Sequence, residues 1–235
     1  MTARAMSPGG RSGVAVLIPA AGTGARMGGS PKTVMELGGR TLLEWAADAF
    51  LARGDVVELV VALADEDHLV KRLRLDRRVG VVGGRDDRFG SVANALEGIS
   101  SEAEIIVVHD AARPFPPEGV IDRCVQIADG GCGAVAGIRA VDTVKVADEA
   151  DRIVRTPSRR DLWYAQTPQA FPRALFEKAV AHCRSAGVSP TDDASAVEEI
   201  GGEVRMVPSS ALNLKVTYPS DIAAAEAYLE WGLVP

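Results

Sequence analysis

Short runs of consecutive apolar residues alternate with longer amphipathic stretches along most of this chain, and this alternation restricts its fold more than any other feature. Each run is bounded by turn residues and is apolar throughout, which is typical of strands buried on both faces of a parallel sheet. Five such runs cover residues 14–18, 56–63, 79–82, 105–108 and 133–138. Their alternation with helical patterns predicts an α/β fold with a doubly wound, mostly parallel sheet and right-handed crossovers.

Helix-start signals lie between the predicted strands. The capping-box sequence Thr41-Leu-Leu-Glu44 predicts a helix that ends near Ala52. Capping and turn residues predict further helices that begin near Asp65, Ser91, Pro117, Pro172, Thr191 and Pro219, and a last strand is predicted over residues 203–207.

A different pattern covers residues 138–168. Two short alternating segments, 144–147 and 152–155, flank a polar turn, which is a hairpin signature. We therefore predict one domain over residues 13–235 with a projecting β-arm at about 138–168. Residues 1–12 lack the apolar run of a signal peptide and are expected to form a disordered tail.

Composition restricts the function classes. The formal net charge is −6, which disfavours binding to nucleic acid or anionic lipid through a broad basic surface. Neither is therefore expected as a partner. The three cysteines have no C-x-x-C spacing, which favours reduced thiols and a cytoplasmic location over a disulfide or zinc framework. No uninterrupted apolar run is long enough to predict a transmembrane helix.

A loop rich in glycine and alanine follows the first predicted strand, and such loops let backbone N–H groups approach an anion closely. Met27 stands where a dinucleotide fingerprint requires glycine, and Lys32 follows proline and not the glycine of a Walker A loop. The loop therefore predicts another kind of phosphate site. Its candidate nucleotide-binding residues are Pro19, Ala20, Ala21, Gly22 and Gly24, with Arg26 and Lys32 as cations.

The pattern G-x-G-x-R-M…P-K after an N-terminal strand resembles the sugar-phosphate nucleotidyltransferases, which share a Rossmann-like sheet. Four further motifs narrow this resemblance to the 2-C-methyl-D-erythritol 4-phosphate cytidylyltransferase family, from about residue 13 to 231. The motifs are Val108-His-Asp110-Ala-Ala-Arg113-Pro, Gln166-Thr-Pro-Gln169, Thr191-Asp-Asp-Ala-Ser195 and Asn213-Leu-Lys215-Val-Thr217.

The resemblance implies transfer of CMP from CTP to the phosphate of 2-C-methyl-D-erythritol 4-phosphate, in non-mevalonate isoprenoid biosynthesis. It also implies Mg²⁺ or another divalent cation, with Asp110 as a metal ligand, and a homodimer that exchanges its arms. The implied catalytic residues are Arg26, Lys32, Lys215 and, acting in trans, Arg159. Further implied nucleotide-binding residues are Gly84, Arg88, Ser91 and Ala111, and the implied acceptor-binding residues are Asp110, Arg113, Thr143, Thr167 and Thr191.

Several alternatives stay open on the residues themselves. The segment 83–91 is one residue longer than the family pattern, so either Gly84 or Arg85 contacts the base, and Ser91 could serve only as a helix cap. His109 lies beside Asp110 on a strand, where it points to the opposite face, so it is expected to be a packed histidine. Arg160 competes with Arg159 for its role. Ribitol-5-phosphate cytidylyltransferase and a nucleotide-binding module without catalysis are the alternative functions.

Overall fold

The computed structural model describes residues 12–22, 35–64 and 79–234. The strands in this part of the chain are β1 (Val14–Pro19), β2 (Glu36–Leu37), β3 (Arg40–Thr41), β4 (Val56–Leu63), β5 (Val79–Gly83), β6 (Ile105–Val108), β7 (Gly133–Arg139), β8 (Val146–Ala147), β9 (Ile153–Arg155), β10 (Trp163–Pro172) and β11 (Val204–Pro208). The α-helices are α1 (Leu42–Leu51), α2 (Arg88–Glu97), α3 (Glu118–Asp129), α4 (Arg173–Ala186), α5 (Asp193–Glu199) and α6 (Pro219–Glu230), with a 3₁₀ turn at Arg159–Asp161.

Seven of these strands form one sheet in the order β11-β7-β10-β6-β1-β4-β5. Within this sheet β10 runs antiparallel to both of its neighbours, and the other strands are parallel to one another. All five apolar runs are strands of this sheet, so the predicted mostly parallel α/β architecture is confirmed.

Hydrophobic cores lie on both faces of the sheet, because successive side chains of a strand point to opposite faces. Val14, Val16 and Ile18 of β1 pack with residues of α1 and α3. Ala15 and Leu17 of the same strand pack with residues of α2, α4 and α5. Helices therefore cover both faces, which confirms the doubly wound arrangement.

The strand order reverses direction at β1. This strand pairs with β4 on one side and with β6 on the other. Strands β4 and β5 are therefore added on one side of β1, and the later strands of the sheet are added on the other side. Ligands of open α/β sheets bind outside the carboxyl ends of the strands at such a switch point. The residues that follow β1 and β6 therefore occupy the expected ligand-binding edge.

Two predicted helix caps are wrong, although the capping box at Thr41 is confirmed by reciprocal bonds between Thr41 and Glu44. Helix α2 is capped by Asp87 and not by Ser91, and α5 is capped by Asp192 and not by Thr191. In each case an aspartate carboxylate accepts an N–H of the first turn, as is usual for a preferred N-cap residue. The helix predicted from Asp65 and the predicted tail 1–12, apart from Ser12, lie outside the described residues.

The sequence patterns did not predict β10, which pairs with both β6 and β7 in the main sheet. Between β7 and β10, strands β8 and β9 form a separate two-stranded antiparallel sheet, so the predicted hairpin is present. Its turn is closed by Asp148, whose carboxylate accepts the backbone N–H groups of Ala150 and Arg152.

Candidate active site at the carboxyl edge of the sheet

A cluster of charged residues lies where β6 ends, and we call Arg88, Asp110, Arg113 and Lys215 the Asp110 cluster. Arg88 Nε donates to Asp110 Oδ1 at 3.0 Å, and Lys215 Nζ donates to Asp110 Oδ2 at 2.7 Å. Arg113 Nε lies 3.8 Å from the same Oδ2. Four residues that the sequence placed in the site, from three separate motifs, are thus brought together around one carboxylate.

The charge state of Asp110 follows from these contacts. Burial by itself would raise its pKa, but the positive charges of Arg88 and Lys215, with the smaller contribution of Arg113, outweigh burial. The pKa of Asp110 is therefore held well below its ordinary value. Asp110 is an anion at neutral pH and keeps an ammonium group beside the ligand-binding edge.

Arg88 is the first residue of α2, where the carboxylate cap of Asp87 accepts Gly90 N–H at 2.7 Å. Its guanidinium contacts two carboxylates, because Nη2 lies 2.8 Å from Asp193 Oδ2 while Nε reaches Asp110. Burial lowers the pKa of Arg88, but the charges of Asp193 and Asp110 more than compensate, so the pKa is raised. Arg88 remains a cation.

Buried polar contacts hold the Asp110 loop against β10. Asp110 N–H donates to Thr167 Oγ1 at 3.0 Å, and the Asn213 side chain donates to Thr167 O at 2.8 Å. Arg113 Nη1 donates to Asn213 O at 2.7 Å. The hydroxyl of Thr167 is therefore occupied in positioning Asp110, and Thr167 itself is buried.

Asn213 has a structural function that the sequence interpretation missed. Its motif was recognised, but only Lys215 within it received a role. The buried side chain of Asn213 also donates to Gln166 Oε1 at 3.0 Å, and Val216 N–H donates to Ala112 O at 2.8 Å. These bonds fix the segment that carries Lys215 to the loop that carries Asp110, which brings the ammonium and the carboxylate together.

His109 is a packed histidine, as expected. It is fully buried, its ring contacts Phe50 at a centroid distance of 5.0 Å, and its Nε2–H donates to Arg113 O at 2.9 Å. Burial lowers the pKa of His109 to about 4. A neutral histidine that supports the backbone of Arg113 is not available to exchange protons with a substrate near neutral pH.

The described part of the glycine loop lies at the same edge. Ala20 N–H donates to Ala62 O at 2.8 Å, which extends the pairing of β1 with β4 as far as the loop. A Cβ atom at Gly84 would clash with the Cβ of Ala21, so only glycine permits this close approach. Gly22 is exposed and Ala111 is buried in the turn that follows Asp110. Gly24, Arg26 and Lys32 lie outside the described residues.

Ser91 supports the loop before α2 and does not cap that helix. Its Oγ accepts Arg85 N–H at 2.9 Å and donates to Asp87 O at 3.0 Å, and the residue is buried. The hydroxyl thus fixes the segment from Gly84 to Asp87, the segment that is one residue longer than the family pattern. Both Gly84 and Arg85, the alternatives for contact with the base, lie in it.

The predicted catalytic residue Arg159 and two predicted acceptor-binding residues, Thr143 and Thr191, are not joined to the Asp110 cluster by any contact within the described part of the chain. Arg159 lies in the 3₁₀ turn and donates to Val141 O, and Arg160 O accepts Arg139 Nη1. Thr143 is exposed before the hairpin. Thr191 is also exposed, and its Oγ1 lies 3.5 Å from Ser195 Oγ.

The residues around Asp110 do not fit a metal centre of their own. Each carboxylate oxygen already accepts a bond from a cationic side chain, so Asp110 would bind a divalent cation only in competition with Arg88 and Lys215. The described residues contain no group of three or more histidine, cysteine or carboxylate side chains that could hold a metal ion. They also contain no helix long and apolar enough to cross a membrane.

Comparison with known proteins connects this geometry to one family. Residues 14–231 match the family model of 2-C-methyl-D-erythritol 4-phosphate cytidylyltransferase, IspD. Enzymes of that name from Aeromonas hydrophila and Haemophilus influenzae are each 40% identical, covering 94% and 93% of this chain and 91% and 97% of their own lengths.

Solved structures agree with the sequence comparison. The 4-diphosphocytidyl-2C-methyl-D-erythritol synthase from Anaerococcus prevotii matches with a TM-score of 0.81 at 27% identity, over 93% of this chain and 96% of its own. The 2-C-methyl-D-erythritol 4-phosphate cytidylyltransferase from Thermus thermophilus matches with a TM-score of 0.78 at 34% identity, over 93% and 99%.

Proposed function

We propose a function from the premise that this chain belongs to the 2-C-methyl-D-erythritol 4-phosphate cytidylyltransferase family. The protein transfers CMP from CTP to the phosphate of 2-C-methyl-D-erythritol 4-phosphate. The products are 4-diphosphocytidyl-2-C-methyl-D-erythritol and pyrophosphate. The observation that carries the proposal is the family match over residues 14–231, which includes every residue of the Asp110 cluster.

The chemistry needs cations more than it needs a base. An oxygen of the acceptor phosphate attacks the α-phosphorus of CTP, and the bond to the pyrophosphate oxygen breaks. A phosphate monoester has a second pKa of about 6, so the attacking group is already anionic at neutral pH. The protein has to bring two polyanions together and stabilise the charge of the phosphoryl group in transfer.

Lys215 is the described residue best suited to that stabilisation. Its side chain is 45% exposed, yet Asp110 anchors the ammonium at 2.7 Å. An anchored but accessible ammonium can contact the α-phosphate without being immobilised anew in each catalytic cycle. Arg26 and Lys32 are proposed to act on the α- and β-phosphates from the glycine loop.

We propose that the acceptor lies between the Asp110 cluster and an arm of the other subunit. Arg113 and Asp110 form the near side, and Thr167 positions Asp110 from behind. Arg159 and Thr143 are proposed to reach the acceptor across a homodimer, with Thr191 at the rim. Support for this assembly comes from Val141, Ile153 and Val154, which are 74%, 63% and 64% exposed in the single chain. Burial of these apolar side chains against a second chain would remove them from water.

A divalent cation remains a proposal that rests on the substrate. Mg²⁺ is commonly bound through substrate phosphates with few protein carboxylates and several waters. We therefore propose that it enters with the triphosphate of CTP, and we assign no reaction step to Asp110 as its ligand. Chelation with EDTA should abolish turnover, and added Mg²⁺ should restore it. A cytoplasmic location is likewise proposed, and the three free cysteines support it.

Pyrophosphate release from CTP tests the function and the acceptor together. We expect release with 2-C-methyl-D-erythritol 4-phosphate and none without an acceptor. Ribitol 5-phosphate should have a lower kcat/KM by at least ~10-fold, because a methyl group alone provides ~10- to 200-fold discrimination. Equal or reversed kcat/KM values for the two acceptors would transfer the assignment to a ribitol enzyme. If neither acceptor caused pyrophosphate release, the result would support a binding module without catalysis.

A further inference from the structure

Asp193 is a fully buried carboxylate that the proposed reaction does not yet use. It is the first residue of α5, and its ion-pair partner within the described residues is Arg88. No described residue gives either of its carboxylate oxygens a hydrogen bond of good geometry. Burying a carboxylate is strongly unfavourable unless it is paired and hydrogen-bonded, so a residue of this kind requires an explanation.

The explanation lies in how Arg88 is shared. A guanidinium is a planar fork whose edges can each face a carboxylate, and this geometry fixes its orientation. Arg88 directs Nη2 at Asp193 Oδ2 at 2.8 Å and Nε at Asp110 Oδ1 at 3.0 Å. The remaining oxygen of Asp110 is bonded to Lys215 Nζ at 2.7 Å. One line of contacts therefore runs from Asp193 through Arg88 and Asp110 to Lys215.

We infer that Asp193 is a positioning residue for Lys215, acting through Arg88 and Asp110; this inference rests on the proposed function of Lys215. By holding the Nη2 side of Arg88, Asp193 confines this guanidinium to one oxygen of Asp110. The other oxygen stays available as the anchor of the ammonium. Asp193 itself touches no substrate in this arrangement.

Replacement of the Asp193 carboxylate, the partner of Arg88 Nη2, should therefore disturb the position of Lys215. Arg88 would keep one carboxylate partner in place of two, and its Nη2 could turn to Asp110 as well. Arg88 would then compete with Lys215 for Oδ2, and the ammonium would lose its fixed position. Turnover should fall, because Lys215 would no longer be held where it stabilises the phosphoryl group. A large part of the rate increase that Lys215 provides should therefore be lost.

A double-mutant cycle in the full-length protein tests this coupling. The variants are Asp193→Asn, Lys215→Ala and their combination, with kcat measured at saturating CTP and 2-C-methyl-D-erythritol 4-phosphate. If Asp193 acts through Lys215, the loss in the double variant should be at least ~5-fold smaller than the product of the two single losses, because coupled sites are non-additive.

Asp55→Asn is the matched control. Asp55 is also buried in an ion pair, with Arg53 Nη2 at 2.7 Å, but it precedes β4 at the opposite edge of the sheet. The loss of kcat in the Asp55→Asn, Lys215→Ala double variant should equal the product of the two single losses within ~2-fold. Should Asp193→Asn fail to fold, Asp193→Ser replaces it, since the smaller side chain also removes the carboxylate partner of Arg88 Nη2.

The outcomes separate the inference from the proposed function. Multiplicative losses for Asp193→Asn, like those of the control, would overturn the positioning role while leaving the function intact. Non-additivity for both Asp193 and Asp55 would also overturn it, because the effect would then be general destabilisation. Absence of turnover in the unaltered protein would instead contradict the proposed function.

Discussion

The Asp110 cluster and the segments that flank the β8–β9 hairpin carry residues for the same proposed reaction, but the two regions differ in how they are held. Asp110 is 8% exposed and is held by bonds from α2, β10 and the segment 213–216. The hairpin forms a separate two-stranded sheet, and Ile153 and Val154 in β9 are more than half exposed. One region is complete within a single chain, whereas the other leaves apolar surface uncovered.

This difference affects how each region responds to change. A two-stranded hairpin without a packed face is marginal in water, so its position depends on the surface that covers it. The cluster, in contrast, is surrounded by buried groups whose hydrogen bonds are lost together if one member moves. Changes in the cluster should therefore act within one subunit, and changes near the hairpin should depend on assembly.

The largest effect is expected when the accessible cation of the cluster is removed. Lys215→Ala should lower kcat by ~10²-fold or more, the usual loss when a transition-state charge partner is deleted. The protein should still fold, because the lysine side chain is 45% exposed. Circular dichroism with steady-state pyrophosphate release would check both statements.

Lys178→Ala provides the control, since Lys178 is an exposed lysine on α4 that makes no hydrogen bond or ion pair with the Asp110 cluster. It should retain full turnover. A folded Lys215→Ala protein with near-normal kcat would remove Lys215 from the mechanism and would make the cluster a structural feature only.

A smaller effect is expected on stability, through His109. Its pKa is about 4 in the folded protein because of burial, against an ordinary value near 6.5. Between these values the unfolded chain binds a proton that the folded chain does not, so stability decreases as the pH falls. From pH 7 to pH 5 this contribution is about 2 kcal/mol.

His109→Gln should remove that part of the pH dependence, because a glutamine cannot be protonated but can still donate to Arg113 O. Urea unfolding at pH 7 and pH 5 would measure it in both proteins. If the free energy of unfolding changed equally with pH in the unaltered and His109→Gln proteins, His109 would be accessible to water. The cluster would then be less closed than its contacts indicate.

The fold could be predicted from the sequence because its parallel strands are continuous apolar runs. Strand β10 was missed because Gln166, Thr167 and Gln169 interrupt its apolar pattern. These polar side chains are buried and bonded in the site: Thr167 accepts Asp110 N–H, and Gln169 Oε1 accepts Ala194 N–H at 2.8 Å. The strand lacks the usual pattern because it serves the site as well as the core.

The composition of the site could be predicted only in part. The family resemblance identified Asp110, Arg88 and Lys215, but it did not reveal that Arg88 is shared with a second carboxylate. The sequence signal was present in the pair Asp192 and Asp193. Only one of two adjacent aspartates can cap α5, and the other, being buried, needs a partner from elsewhere. Pairing across the fold depends on three-dimensional contacts that a single sequence does not specify.

The proposed action of Arg159 on the site of the other subunit is tested by mixing two impaired proteins. Arg159→Ala should lower kcat/KM for the acceptor by ~10-fold or more, the usual cost of losing a charged hydrogen-bonding partner. If Arg159 acts in trans, subunit exchange between Arg159→Ala and Lys215→Ala proteins should restore activity to about a quarter of that of the unaltered protein. Half of the dimers would be mixed, and each would contain one site with both residues intact.

Arg160→Ala mixed with Lys215→Ala is the matched control, because Arg160 is the exposed neighbour in the same 3₁₀ turn. Arg160→Ala should be nearly fully active alone, so mixing should add nothing beyond the average of its two components. Exchange would be verified with differently tagged subunits. If verified mixed dimers of the Arg159→Ala pair stay at the average of their components, Arg159 acts within its own chain or not at all. The proposed reaction would then need no residue from a second chain, and the contrast between the two regions would rest only on the exposed apolar side chains of β9.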